Sequence, residues 1–183
     1  MAVASKMIPL GTIAPEFELP DTISGQMINL YKIKSDIATV VMFLCNHCPY
    51  VVHIKDVLAK TAFEYQKKGL SFAAVSSNDI IKYPEDSPEN MKHFAAEAGF
   101  TFPYLYDESQ ETARDYDAAC TPDFYVFDRE MKLVYRGQFD DARPGNSIPV
   151  TGSDLRKVLD ALITGEPVSE QQKPSIGCSI KWK

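Results

Sequence analysis

Apolar and polar residues along this chain follow two different periods, and the switches between them mark out the elements. Residues 15–19 and 27–30 alternate at every second position on either side of Ser24-Gly25, which predicts a β-hairpin near the N-terminus. Residues 38–44 (ATVVMFL) form an unbroken, β-branched apolar run, the pattern of a central strand covered on both faces. The period then changes. Val51, Ile54, Leu58 and Tyr65 recur at helical spacing, Asp56/Lys60 and Glu64/Lys68 are acid-before-base pairs, and Gly69 supplies a stop. A long helix over 50–68 follows from that spacing.

Residues 70–75 (LSFAAV) read as a second buried strand. Ser87 caps a helix that runs to Gly99, with Pro88 at the first helical position, where its missing N–H costs nothing. A short strand is expected over 102–106. A helix is expected over 109–119, with Glu111 and Thr112 in its first turn. Residues 123–128 and 132–138 alternate about Arg129-Glu130 as a hairpin, and 153–164 form a last amphipathic helix from Ser153 to the Gly165 stop. Strands alternating with helices, then a hairpin and a final helix, predict an α/β three-layer sandwich over residues 1–166. Residues 167–183 form a polar tail ending in Ile176-Gly177-Cys178-Ser179-Ile180-Lys181-Trp182.

Composition narrows the function classes. A chain of 183 residues is large enough to bury a core as one domain. Its net charge of −6, with no Lys/Arg cluster beyond two or three residues, argues against a nucleic-acid partner. No apolar segment is long enough to span a bilayer, and the first residues lack a secretory core, so the expected location is the cytoplasm. In that compartment four cysteines read as reduced, catalytic or metal-binding rather than as structural disulfides.

The stretch FLCNHCPYV, residues 43–51, admits two frames. In one, Cys45 and Cys48 form a CxxC pair. In the other, Cys48 is a helix N-cap, Pro49 is the first helical residue, and Val51 stands where a second cysteine would be. A proline fits the first helical position and is less comfortable a turn further in, so backbone physics selects Cys48 as the nucleophile. There the unpaired N–H groups and the helix dipole favour thiolate over thiol. This reading requires the Cys48 sulfur to lie at the start of a helix and open to solvent.

An apolar strand, a cysteine at a helix start, a long helix and a later Thr121-Pro122 ahead of a strand together resemble the thioredoxin-like superfamily. Cys48-Pro49-Tyr50 is similar to the opening of the glutaredoxin CPYC motif. Pro15-x-Phe17-x-Leu19-Pro20-Asp21, with Gly25 and Leu30, resembles the entry hairpin of the alkyl hydroperoxide reductase/thiol-specific antioxidant (redoxin) family. Residues 120–128, with Val134-Tyr135-Arg136-Gly137, resemble that family's cis-proline strand and hairpin. The likeness spans residues 12–165 and extends to a peroxiredoxin-like subgroup with an NHCPYV stretch and a GCSIKW ending. It implies a thioredoxin-like α/β/α sandwich. It also implies a cis Thr121-Pro122 bond that faces the nucleophile and, with Pro49 and Tyr50, offers a backbone edge to the substrate. One departure matters. Peroxiredoxins place Thr or Ser three residues before the peroxidatic cysteine and Pro four before that; counting from Cys48 gives Cys45 and Val41, and from Cys45 gives Met42 and Ala38.

The first functional reading is therefore a thiol–disulfide oxidoreductase. Cys48 attacks a disulfide, Cys45, Cys178 or an external thiol reductant resolves the mixed disulfide, and no cofactor is called for. Cys178 enters because a cysteine on a mobile tail can resolve an oxidised partner. His47 is a candidate to tune or relay the Cys48 proton, whereas His53 and His93 read as surface residues and Cys120 as a packed one. A thiol-dependent peroxidase is the second reading. A zinc or copper(I) site at Cys45, His47 and Cys48, with Cys178 as a fourth ligand, is the third. The apolar tail residues Ile176, Ile180 and Trp182 suit docking on the chain's own body or on a second copy in a homodimer.

Overall fold

A computed structural model describes residues 2–183. The central sheet contains β4 (Ala38–Phe43), β5 (Ser71–Ser76), β6 (Tyr104–Tyr106), β8 (Asp123–Asp128) and β9 (Leu133–Gly137), in the order β6-β5-β4-β8-β9. β4, β5 and β6 run parallel, and β8 and β9 add antiparallel pairs. Every residue of β4 is buried, and strand geometry sends alternate side chains to opposite faces. Val40 and Met42 join a core shared with α2 (Pro49–Gln66), α3 (Pro88–Ala98) and α5 (Ser153–Thr164). Val41 and Phe43 join a second core, with Leu30 and Ile33 of α1 (Leu30–Ile33) and Ala113 of α4 (Glu111–Asp115). These are the three expected layers.

The expected hairpin is present as β2 (Glu18–Pro20) paired with β3 (Met27–Asn29). Helix α2 buries Val51, Ile54, Leu58, Ala62 and Tyr65 on one face, as the spacing requires. At α3, the Ser87 side chain accepts from Asn90 N, and Gly99 takes the left-handed conformation (φ 73°) that ends the helix.

Three boundaries differ from expectation. The strand expected over 102–106 starts at Tyr104, because Phe102 turns into the core beside Phe72. The helix expected over 109–119 is only Glu111–Asp115; Asp117 has φ 50°, and Ala118 N closes back onto Ala113 O. At α5 the capping position is Gly152 (φ 68°) rather than Ser153.

The larger difference is a second sheet. The segment after residue 166 returns to the body and forms β10 (Ile176–Ser179), flanked on both sides by antiparallel neighbours: β1 (Ala2–Ala4) and β7 (Cys120–Thr121). Ile180 N donates to Ala119 O and Asp79 N to Lys181 O, so the pairing continues beyond the strand. Of the two docking options for the tail, the structure takes the chain's own body. Its three short strands carry no amphipathic run, which is why periodicity missed them.

Leu58 is fully enclosed on α2. Leu58→Ala is expected to lower the free energy of unfolding by about 2–5 kcal/mol, measured by urea denaturation.

Candidate functional site

β4 delivers the chain to the site, and Leu44 N extends the strand by donating to Val75 O. After the loop 45–47, Cys48 is the N-cap of α2 (φ −70°, ψ 120°) and Pro49 follows as its first residue. The Cys48 carbonyl accepts from Val51 N and Val52 N, which starts the helical ladder. The CPYV frame is therefore the one the chain adopts, and Val51 points into the core with no exposed surface.

Solvent access does not follow expectation. Cys48 is 0% exposed and Cys45 1%, because β10 closes over the strand–helix junction. In the register of that strand, Cys178 stands opposite Thr121. Thr121 also holds both loop cysteines: its Oγ1 lies 3.2 Å from Cys45 Sγ, and its carbonyl accepts from the Cys48 thiol at 3.1 Å. The Thr121-Pro122 bond is cis, in agreement with the sequence.

These contacts set the thiol acidities. Cys48 is pulled down to about 5, first by a hydrogen bond from the Cys45 side chain, then by the Cys178 side chain and N–H and the Val51 N–H. Burial opposes that shift, as does the Thr121 carbonyl, whose lone pairs suit a thiol and not a thiolate. No side-chain cap bond forms at the Cys48 sulfur, and the Val51 N–H goes to the Cys48 carbonyl, so the downward direction rests on the nearness of the Cys45 and Cys178 thiols and the Cys178 N–H. Cys45 is pushed well up, chiefly because its proton is held by Cys48, with burial and the nearby Asp86 charge adding to the effect. Cys178 rises to about 11 through burial and its bond to Cys48. Burial likewise pushes Cys120 up; it packs in β7 and has no part in the sulfur cluster's hydrogen bonding. The group is one thiolate with two thiol donors.

His47 faces Asp86 and Tyr83 at the side of this cluster. Its ring stacks on Tyr83 with centroids 5.5 Å apart, and its Nδ1 lies 2.7 Å from Asp86 Oδ2 in an orientation that makes no aligned hydrogen bond. The expected relay to Cys48 has no hydrogen bond behind it. Asp86 is a residue the sequence did not single out. Fully buried, it accepts from Asn46 N and His47 N on one oxygen and from Asn78 Nδ2 on the other, pinning the loop that carries both cysteines. The only signal was an acidic residue beside a helix cap, which is too common to select. Cys45, His47 and Asp86 have donor atoms within 4.8 Å of one another. That thiol, imidazole and carboxylate set is of a kind zinc accepts once the thiol gives up its proton, and it holds Cys45 and His47 but not Cys48 of the trio considered as the third reading. His53 and His93 are exposed, as expected.

The substrate edge also needs correction. Pro49 is exposed and Tyr50 half-buried beside Pro122, but the Thr121 edge expected to receive a substrate chain already pairs with β10. A Cβ on Gly177 would stand 1.9 Å from Thr121 O, so the two backbones meet at a distance only glycine allows. Tail and loop are further joined by Lys181, whose N–H donates to Asn78 Oδ1 and whose ammonium lies over Tyr83. The mobile tail expected around Cys178 is instead a paired strand.

A βαβ sheet with a thiol at the start of the helix after its central strand, facing a cis-proline, defines a redoxin of thioredoxin-like fold. A family model described as AhpC/TSA matches residues 10–136, and the chain belongs to that family. Among solved structures, it is similar to an uncharacterized conserved protein of Geobacillus kaustophilus (62% identity, TM-score 0.98, covering 100% of this chain and 97% of that one). A hypothetical protein of Sinorhizobium meliloti 1021 is 49% identical, with TM-score 0.96 and 98% of each chain covered. The thioredoxin domain of a thiol-disulfide oxidoreductase from Bacteroides vulgatus shares the fold at 18% identity (TM-score 0.64, 84% of this chain and 99% of that one). Comparison with curated protein sequences finds no match. No helix among the described residues is long and apolar enough to cross a membrane.

Removing the Asp86 carboxylate leaves the Asn46 amide and the Asn78 side chain without their acceptor. Asp86→Ala is expected to cost about 1–3 kcal/mol of stability, read from the shift in the urea midpoint.

Proposed function

We propose that the protein is a cytoplasmic thiol–disulfide oxidoreductase in which Cys48 is the nucleophile. Family membership supports a thiol or peroxide substrate and a thiol reductant. The observation that carries the residue assignment is the place of Cys48 as N-cap of α2 ahead of Pro49, with its sulfur against Thr121 of the cis-proline loop; the nearby Cys45 and Cys178 thiols pull its pKa down to about 5. Thiolate rather than thiol attacks a disulfide, and a thiol acidic enough to ionise below neutrality is charged at pH 7; because the sulfur is 0% exposed, substrate reaches it only as β10 lifts from Thr121. The Cys48 thiolate forms a bond to one sulfur of R–S–S–R, the S–S bond breaks, and RS⁻ departs with the electron pair. The helix dipole and the fixed N–H groups supply charge stabilisation without rearrangement.

Peroxide chemistry is the second reading, favoured by the AhpC/TSA match. Cys48 thiolate would take the distal oxygen of ROOH, becoming a sulfenic acid as alkoxide leaves. Cys45, at the position of the missing Thr, donates to the same sulfur and not to a peroxide. Oxidation by hydrogen peroxide is therefore expected to be slower than attack on a small disulfide, measured side by side in stopped flow; the reverse order would favour the peroxidase.

Two pH measurements test the nucleophile. The ultraviolet thiolate absorbance lost in Cys48→Ser should titrate near pH 5, and a midpoint at the ordinary value of 9.0 would overturn the assignment. Cys48 is also more acidic folded than unfolded, so its ionisation contributes stability that is complete above pH 9 and is lost as pH falls through about 5. Plotted against pH, wild-type stability minus Cys48→Ser stability should rise across that window in urea denaturation.

A further inference from the structure

Beside the sulfur cluster, an imidazole nitrogen and a carboxylate oxygen face each other without a hydrogen bond. His47 Nδ1 is buried and unpartnered, although Asp86 Oδ2 lies 2.7 Å away. A carboxylate has about four lone-pair sites. The Asn46 and His47 N–H groups take two on Asp86 Oδ1, and Asn78 Nδ2 takes one on Oδ2. The remaining one therefore belongs to the oxygen that meets the imidazole. A buried polar atom left in this way calls for a partner, and a cation satisfies both atoms at once. The Cys45 sulfur completes the group, with all three donor atoms within 4.8 Å of one another.

Each member is also held from outside. Cys45 Sγ lies 3.2 Å from Thr121 Oγ1, the imidazole stacks on Tyr83 with the ring planes 6° apart, and the carboxylate is fixed by its three donors. Tyr104 Oη donates to Asn46 Oδ1 at 3.1 Å, which pins the residue between the two loop members. Partners of this kind orient metal ligands.

We propose that Cys45, His47 and Asp86 bind one Zn²⁺, with water as the fourth ligand. Sulfur, nitrogen and oxygen together suit zinc, whereas calcium and magnesium call for oxygen alone. On binding, the Cys45 S–H bond breaks, its proton passes to the buffer and an S–Zn bond forms, with no electron exchanged. His47 Nδ1 contributes its lone pair with the ring proton on Nε2. Ligand atoms around tetrahedral zinc stand about 3.3–3.7 Å apart, so Nδ1 and Oδ2 separate by roughly half an ångström, a small swing of the ring. His47 is the ligand that reaches solvent: its side chain is 26% exposed, with Cys45 and Asp86 sealed behind it. The site uses no atom of Cys48 and goes beyond the redox reading without depending on it.

Cobalt(II) is the probe, because a thiolate that ligates it gives a charge-transfer band. Protein unfolded in urea with a phosphine reductant and refolded with one equivalent of Co²⁺ should show that band, and Zn²⁺ should abolish it. Refolding opens the site to the ion, so burial cannot mask binding. Cys45→Ser should lose the band. His47→Ala and Asp86→Asn should each weaken zinc binding about 100-fold or more, the upper end of what an outer-shell change costs, read by competition with a chromophoric chelator. Cys48→Ser and Cys178→Ser should keep both band and affinity. X-ray absorption of zinc-loaded wild type should count one sulfur and three nitrogen or oxygen neighbours, a readout that requires no variant to fold. The site is overturned by a wild type that refolds to its native circular dichroism without the band, or by two or more sulfurs around zinc. A band that survives Cys45→Ser, unchanged affinity in His47→Ala or Asp86→Asn, or loss of the band in natively folded Cys48→Ser or Cys178→Ser overturns it equally.

Discussion

Thr121 is the point on which the site's geometry depends. Its side-chain oxygen meets Cys45, its carbonyl meets Cys48, and its backbone pairs with Cys178, so three sulfurs from two distant stretches of chain converge on one residue of a third. The sheet supplies the rigidity: β8 follows directly after the cis-proline and lies beside β4, whose end launches the loop to Cys48. Both partners of the Thr121–cysteine contacts are thus carried by adjacent central strands. Any shift in the β4–β8 register would separate the carbonyl from the thiol it faces.

The charge arrangement follows from this convergence. Three sulfhydryls in a closed space cannot all ionise, because each new negative charge raises the cost of the next. The charge falls on Cys48, which has backbone N–H groups and the helix start beside it, while its neighbours keep their protons and donate them. Asp86, a buried carboxylate close to Cys45, adds to this by holding Cys45 in its thiol form. Its lone pairs are also engaged by two loop amides and Asn78, which makes it the clamp that shapes the loop.

Much of this was legible in the chain, and the failures have a common cause. The apolar run of β4, the helical spacing of α2 and the proline after Cys48 are local signals, and each led to the right element. Thr121-Pro122 was found through motif likeness and not through spacing. What went unread were long-range pairings between short, weakly patterned strands: β1, β7 and β10 join residues about as far apart as the sequence allows. Because that sheet was invisible, Cys48 was expected at the surface and Cys178 on a loose end. Gly177 was the one local clue, since a glycine beside a cysteine in an otherwise apolar segment marks a close backbone approach, but it names no partner. Asp86 and the orientation of His47 escaped for the same reason: both depend on which distant groups fill the space around them.

The late position of β10 bears on biogenesis. Synthesis runs from the N-terminus, and folding proceeds on the part already made. Cys48, Cys45 and Thr121 leave the ribosome well before residue 176, and β1 emerges earlier still yet has no strand partner until β10 arrives. A nascent chain thus carries Cys48 uncovered and without Cys178 beside it, and only the arrival of β10 seals the chamber and sets the acidity of the sulfur within it.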